Sequence, residues 1–147
     1  MPKTLVTDAV ETANRLRPVL LQLARQLRRE VHPLGVTGGQ VSLLVAIKRS
    51  PGIGLRELAA QEGISPAGMS GHVDRLEAAR LVRRSAVGDD KRRIELELTD
   101  AGTRVLRLVR SRRTAWLAAR LKNLSPEQIE AIDAAIEPLA QLLDDAG

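Results

Sequence analysis

The stretch Gly63–Leu76, GISPAGMSGHVDRL, decides the fold of this chain, because it predicts a tight turn followed by a helix. Gly63 can adopt the positive φ that ends the preceding helix, which helical spacing of apolar residues indicates from Leu55 to Glu62. Ser65 can cap the new helix through its hydroxyl, and Pro66 suits the first helical position. Two short helices joined by a tight turn are the result.

The second of these helices has two very different faces. Met69, Val73 and Leu76 share one side by spacings of four and three, which indicates an apolar anchor. The other side is small and polar, with Ala67, Ser70, Gly71, Asp74 and Arg75. Such a helix can approach base edges in the major groove of DNA. Gly68 and Gly71 each cost about 1 kcal/mol of helix stability, so they indicate either close approach of a partner or a poor helix, and we favour close approach.

A charged hairpin follows the two helices. Ile94, Leu96 and Leu98 alternate with glutamates, which predicts a half-buried strand from residue 94 to 98, and a first strand is expected from Leu81 to Arg84. The turn-rich loop between them, residues 87–93, ends in the cations Lys91, Arg92 and Arg93. A strand, a basic loop and a strand after a helix-turn-helix predict a winged helix.

These residues resemble the multiple-antibiotic-resistance regulator (MarR) family of bacterial winged helix-turn-helix transcription factors. The resemblance is carried by five pieces, in this order: Leu58-Ala59, Val73-Asp74-Arg75-Leu76-Glu77, Leu81-Val82-x-Arg84, Asp90-Lys91-Arg92-Arg93 and Leu98-Thr99-x-x-Gly102. With the flanking helices it covers nearly the whole chain. It implies a mainly α fold, with long N- and C-terminal dimerisation helices and a small β-hairpin wing.

The resemblance also implies a set of DNA-binding residues. On the recognition helix they are Ser65, Pro66, Ala67, Gly68, Ser70, Gly71 and Arg75, and on the wing they are Asp90, Lys91, Arg92 and Arg93. Arg92 would enter the minor groove while Asp90 holds it extended, and the alternative is a solvated charged turn. Arg75 and Arg84 are either phosphate contacts or ion-pair partners that brace the wing. His72 borders the apolar face, so packing is favoured over a DNA contact.

The composition of the chain limits which classes of partner and chemistry are open to it. The 147 residues suggest one domain, and 23 Lys and Arg against 18 Asp and Glu, with a pI near 10.6, favour a polyanionic partner only modestly. The absence of cysteine excludes disulfides and thiol-based sensing. No apolar run approaches the roughly 20 residues of a membrane span, so we expect a cytoplasmic protein that does not bind membranes. No residue pattern indicates an enzyme, a cofactor or a metal site.

The flanking segments predict further helices. The apolar pattern from Thr4 to Val31 indicates a long first helix. Pro18 must either kink or divide it, and we predict a kink near Arg17. The remaining predictions are a buried helix from Gly39 to Arg49 capped by Thr37, an edge strand at Ile53, a helix from Thr99 to about Leu121 with Ala101, Val105, Leu108, Val109, Ala115 and Trp116 facing inward, and a last helix started by Ser125 and Pro126.

By resemblance, the chain divides into functional parts. Residues 1–34 and 122–147 would carry the dimerisation helices, residues 36–100 the DNA-binding lobe, and residues 101–121 the connecting helix. Family members bind aromatic or phenolic anions in a cleft between dimer helices and DNA-binding lobe. Here Arg17, His32 and Trp116 are candidates for it, although a structural role is favoured for each, and the absence of Phe and Tyr argues against aromatic stacking.

The function that these observations favour is a homodimeric, sequence-specific regulator of transcription, a repressor released by a small-molecule effector. It would bind a pseudopalindromic double-stranded DNA with half-sites about one helical turn apart. The alternative is a winged-helix module whose wing and second helix bind protein or RNA. A small helical enzyme has no residue constellation behind it.

Overall fold

The computed structural model describes residues 8–86 and 94–144, and within them the chain forms six helices and a small sheet. The elements, in chain order, are α1 (Ala9–Arg29), a 3₁₀ turn (His32–Leu34), α2 (Gly38–Arg49), β1 (Ile53–Gly54), α3 (Leu55–Glu62), α4 (Pro66–Ala78), β2 (Val82–Ala86), β3 (Ile94–Leu98), α5 (Asp100–Leu121) and α6 (Pro126–Gln141). This mainly helical arrangement with its β-hairpin confirms the predicted winged helix-turn-helix.

The helix boundaries follow from local capping chemistry. α3 ends at Gly63, where φ is 65°, and the Ser65 hydroxyl accepts a hydrogen bond from the Gly68 N–H at 3.1 Å to begin α4. Thr37, Thr99 and Ser125 cap α2, α5 and α6 in the same way, so each predicted cap is confirmed.

The three strands form an antiparallel sheet in the order β1, β3, β2. The predicted edge strand is confirmed, because Ile53 pairs with Leu96. β2 begins at Val82, one residue later than predicted, and continues to Ala86. Leu96, at the centre of β3, is fully buried against the helices. The hairpin of β2 and β3 forms the base of the predicted wing, whose loop, residues 87–93, lies outside the described residues.

The apolar core lies between α2, α3, α4, the sheet and the first half of α5. The predicted inward positions on α5 were partly wrong, because Leu108 is 50% exposed and Ala115 is exposed, whereas Val109 and the unpredicted Leu106 are buried. The buried line of α5 runs through Gly102, Leu106 and Val109 at spacings of four and three, because Gly102 brings the start of α5 close to Leu81. Its face is thus set by a tertiary contact.

α1 and α6 lie largely outside this core, and neither contains a buried residue. α1 begins at Ala9 with Asp8 as its cap and ends at Arg29, whereas the predicted start at Thr4 lies outside the described residues. It runs through Pro18 as one helix, and the kink near Arg17 stays a prediction. Among the described residues, no helix is long and apolar enough to cross a membrane.

Candidate nucleic-acid interface

α4 turns a face of short side chains toward solvent. Met69, Val73 and Leu76 are fully buried, so the helix is anchored along one side only. Seven residues of this segment were predicted to contact DNA, and all but the half-buried Ser70 are exposed: Ser65, Pro66, Ala67, Gly68, Ser70, Gly71 and Arg75. A surface of this kind lets a helix backbone come close to a partner.

The two glycines of α4 have different surroundings. A Cβ at Gly68 would lie 3.1 Å from the Ser65 Oγ and 3.2 Å from the Ile64 Cγ2, so the capping turn itself favours a small residue there. A Cβ at Gly71 would meet no atom of residues 8–86 and 94–144 within 4 Å. The described part of the fold therefore gives a reason for Gly68 and none for Gly71, whose space it leaves open.

Arg84 of β2 attaches the hairpin to α4. Its Nη2 donates to the Asp74 Oδ1 at 2.7 Å and to the Ser70 carbonyl oxygen at 3.2 Å. Its Nε is buried and has no hydrogen-bond partner in the described part of the chain. Of the two roles open for Arg84, the structure thus supplies the ion pair that braces the wing against α4.

Arg75 and His72 lie on the side of α4 that faces α2, away from the side that Arg84 of β2 contacts. Both line a cleft of about 450 Å³ toward α2, together with Gln40, Glu62 and Ile64. The packing role favoured for His72 was wrong, since this residue is exposed. Its spacings of three from Met69 and four to Leu76 do place it at the border of the buried stripe, but the cleft toward α2 leaves that border open to solvent.

The described part of the hairpin is held by polar pairing across its strands. Arg83 and Glu97 are direct partners in the β2–β3 register, and their side chains form an ion pair at 3.1 Å. Both are exposed, so the pair adds little stability. The predicted wing contacts Asp90, Lys91, Arg92 and Arg93 lie outside the described residues, and their role stays a prediction.

A second feature is a cleft of about 630 Å³ that we call the α2–α5 cleft. Its lining combines an apolar floor with a cationic rim: Leu27, Val41, Val45, Leu106, Val109, Thr114 and Leu117, with Lys48, Arg49, Arg110 and Arg113. Within residues 8–86 and 94–144, no carboxylate lines it. The lining groups would favour an anion with an apolar body.

Arg113 is the cation most closely built into this cleft. Its Nε donates to the Leu27 carbonyl oxygen at 3.0 Å, linking α5 to the last turn of α1. Burial, and next the charge of Arg28, lower the pKa of the Arg113 guanidinium from its ordinary value. An anion placed beside the Arg113 guanidinium would favour its charged form and so offset both the burial and the charge of Arg28.

The residues predicted for a ligand pocket do not come together. Arg17 is exposed on α1 and hydrogen-bonds Asn14, His32 lines a separate cleft, and the Trp116 ring stacks under the Arg120 guanidinium at 3.7 Å. None of the three lines the α2–α5 cleft. Sequence reasoning missed Arg113 instead. Its spacing of four from Val109 and seven from Leu106 places it on the buried stripe, which was the signal available.

Both the sequence and the fold are similar to those of known regulators. Residues 34–93 match the model described as MarR family. The HTH-type transcriptional repressor MdtR of Bacillus subtilis (strain 168) is 27% identical over 114 residues, which cover 78% of this chain and 74% of MdtR.

Solved structures extend the similarity over nearly the whole chain. A candidate transcriptional regulator from Pseudomonas aeruginosa PA01 is 31% identical, with a TM-score of 0.73 and coverage of 91% of this chain and 93% of that one. A mutant of MepR from S. aureus, bound to an oligodeoxyribonucleotide, shares the fold at 18% identity, with a TM-score of 0.70 and coverage of 90% and 98%.

Proposed function

Because this chain belongs to the MarR family of transcriptional regulators, we propose that it is a homodimeric repressor that binds a pseudopalindromic DNA duplex with one α4 per half-site. The observation that carries this proposal is the open space at Gly71. A glycine inside a helix costs about 1 kcal/mol relative to alanine. Close approach of a partner to this face explains why a glycine stands there.

The DNA contacts would come from two elements. The exposed side of α4 would lie in the major groove, with Ser70 and Gly71 near base edges and Arg75 at a phosphate. The wing residues Asp90–Arg93 would reach the neighbouring minor groove. A MepR mutant with the same fold is bound to an oligodeoxyribonucleotide, which supports DNA as the partner. Most of the affinity would be electrostatic and would fall with rising salt.

Dimerisation would cover apolar surface on the outer helices. Single exposed apolar residues are common, but these two helices carry eight and the turn after α6 adds two more: Val10, Val19, Leu20, Leu21 and Leu23 on α1, Ile129, Ile132 and Ile136 on α6, and then Leu142 and Leu143. A second copy of the chain would bury them. In this proposal residues 1–34 and 122–147 serve dimerisation, 36–100 DNA binding, and 101–121 connection.

The α2–α5 cleft would hold the effector. Its cationic rim favours an anion, and its floor of leucine and valine gives an aliphatic body more contact than an aromatic ring, which would have no aromatic partner there. The anion would release DNA only if it binds better to a dimer whose two α4 helices are wrongly spaced.

The test is selection of bound duplexes from a randomised pool, followed by titration of the enriched duplex and a scrambled duplex across a salt series. We expect an enriched sequence with two inverted half-sites, and a salt slope that becomes shallower by about one for Arg75→Ala. Enrichment of no sequence, or equal affinity for both duplexes at every salt concentration, would contradict specific recognition. It would favour the alternative module that binds protein or RNA.

A further inference from the structure

The side chain of Thr99 makes two hydrogen bonds of different kinds. Its Oγ1 accepts from the Gly102 N–H at 3.0 Å, which is the cap of α5. The same hydroxyl donates to the carbonyl oxygen of Arg80 at 2.6 Å, across 19 residues of sequence. A helix cap needs only an acceptor. The second bond therefore does something that α5 itself does not require.

The acceptor of that second bond is held in an uncommon backbone conformation. Arg80 follows α4 and has a φ of 61°, in the left-handed region that favours glycine. The turn is closed by hydrogen bonds from the Arg80 N–H to Glu77 and from the Leu81 N–H to Leu76, both at 2.9 Å. The end of α4 is thus fixed with the Arg80 carbonyl oxygen at the Thr99 hydroxyl.

Two backbone contacts bring the same segments together. The Thr99 N–H donates to the Leu81 carbonyl oxygen at 3.1 Å. A Cβ at Gly102 would lie 2.2 Å from that oxygen, so only glycine allows this approach. We call Arg80, Leu81, Thr99 and Gly102 the α4–α5 junction. Among the described residues of this junction, the bond from Thr99 to Arg80 is the side-chain hydrogen bond that crosses from the end of α4 to the start of α5.

We propose that Thr99 is a positioning residue for DNA recognition, whose hydroxyl fixes the end of α4 and so sets the angle of the exposed face of α4. This inference rests on the proposed function of α4. The apolar contacts of α4 have no directional preference, so they oppose its separation from the core more than its tilt. Arg84 holds α4 at Ser70, and Thr99 holds the turn that follows α4 at Arg80. Ser70 lies eight residues before the last helical residue, Ala78, about 12 Å along the helix, so the two attachments are well separated and together fix the tilt of α4.

The test separates the two bonds of Thr99. Thr99→Asp keeps an acceptor for the α5 cap and loses the donor to Arg80, whereas Thr99→Ser keeps both. Ser125→Asp makes the same change at the cap of α6 and controls for the added charge. If Thr99→Asp does not fold, Thr99→Ala takes its place and is compared with Ser125→Ala, which removes a helix cap alone.

The first readout is the ratio of affinities for the enriched duplex and a scrambled duplex. We expect Thr99→Asp to reduce this ratio about tenfold, the loss of roughly one base contact, while Ser125→Asp and Thr99→Ser keep it. A general loss of stability or of charge would lower both affinities together instead.

The second readout does not depend on DNA. Because the chain has no cysteine, spin labels can be placed at Ala67→Cys on α4 and Arg107→Cys on α5, with unlabelled protein in excess to suppress distances between copies. We expect Thr99→Asp to shift or broaden the distance distribution and Thr99→Ser to restore it. Unchanged distances and an unchanged affinity ratio would overturn the proposal for Thr99. A wild-type protein that does not distinguish the duplexes would instead overturn the proposed function, while the distances would still report on the junction.

Discussion

The Arg84 guanidinium and the Asp74 carboxylate lie 2.7 Å apart and join β2 to the exposed side of α4. The two side chains differ in exposure, since 24% of Arg84 and 62% of Asp74 is accessible to solvent. The arginine also holds the Ser70 carbonyl oxygen. Arg84 therefore contributes to stability through the hydrogen bond to Ser70 and its partly buried side chain as well as through the ion pair with Asp74.

We expect Arg84→Ala to lower the free energy of unfolding by about 1–2 kcal/mol, because it removes two hydrogen bonds and a half-buried side-chain stem. Asp74→Ala should cost less than about 1 kcal/mol, since its carboxylate is largely solvated. Urea denaturation measures both. The control is Arg83→Ala, which breaks the exposed pair with Glu97. An equal cost for Arg84→Ala and Arg83→Ala would show that the attachment to α4 contributes nothing.

Gly71→Ala should separate stability from binding. We expect a gain in the free energy of unfolding of up to about 1 kcal/mol, because the new Cβ meets no atom in the described part of the chain and alanine favours the helix. We expect weaker binding of the enriched duplex, because the methyl group occupies the space of the partner. Gly68→Ala is the comparison and should gain less stability, owing to its contacts with Ser65 and Ile64. Unchanged affinity in Gly71→Ala would argue against close approach at this face.

Gly102→Ala should be strongly destabilising. Its Cβ would lie 2.2 Å from the Leu81 carbonyl oxygen, so the backbone of α5 or of the turn must move. We expect a loss of more than about 2 kcal/mol in the free energy of unfolding. Gly39→Ala in α2 is the control, because its nearest neighbour is the Thr37 Oγ1 at 3.8 Å and it should be neutral or stabilising. Similar melting temperatures for the two variants would contradict the close contact at Gly102.

Arg80→Gly should stabilise the chain, in contrast to most exchanges of a residue for glycine. At a φ of 61° a glycine avoids the steric cost that an L side chain carries there, about 1 kcal/mol. Ala79→Gly, one residue earlier at a φ of −79°, should be destabilising. Differential scanning calorimetry of both variants tests this. Lower melting temperatures for both would show that the Arg80 side chain stabilises the turn.

The sequence predicted those parts of the fold that depend on neighbouring residues. The caps at Ser65, Thr99 and Ser125, and the end of α3 at Gly63, are each made within three or four residues, so their chemistry is visible in the sequence. The alternation in β3 likewise predicted its bounds. The buried face of α4 was predicted from the helical spacing of Met69, Val73 and Leu76, and all three residues are fully buried.

The sequence did not predict the contacts that join distant segments. Arg113 meets Leu27 across 86 residues, and Thr99 meets Arg80 across 19, and no spacing rule connects them. Leu108 was predicted to face inward because α5 has more than one apolar stripe, and the approach of Gly102 to Leu81 selects between them.

The last prediction concerns the cationic rim of the α2–α5 cleft. If the cleft binds an aliphatic anion, decanoate should raise the melting temperature, because a ligand that binds only the folded state stabilises it. Decanol, which lacks the charge, and benzoate, which lacks the aliphatic chain, should raise it less.

Arg113→Gln should reduce the effect of decanoate, because it removes the cation beside the apolar floor. Arg112→Gln removes the neighbouring cation, which is exposed and does not line the cleft, and should keep the effect. Equal shifts in the two variants would place decanoate elsewhere on the molecule.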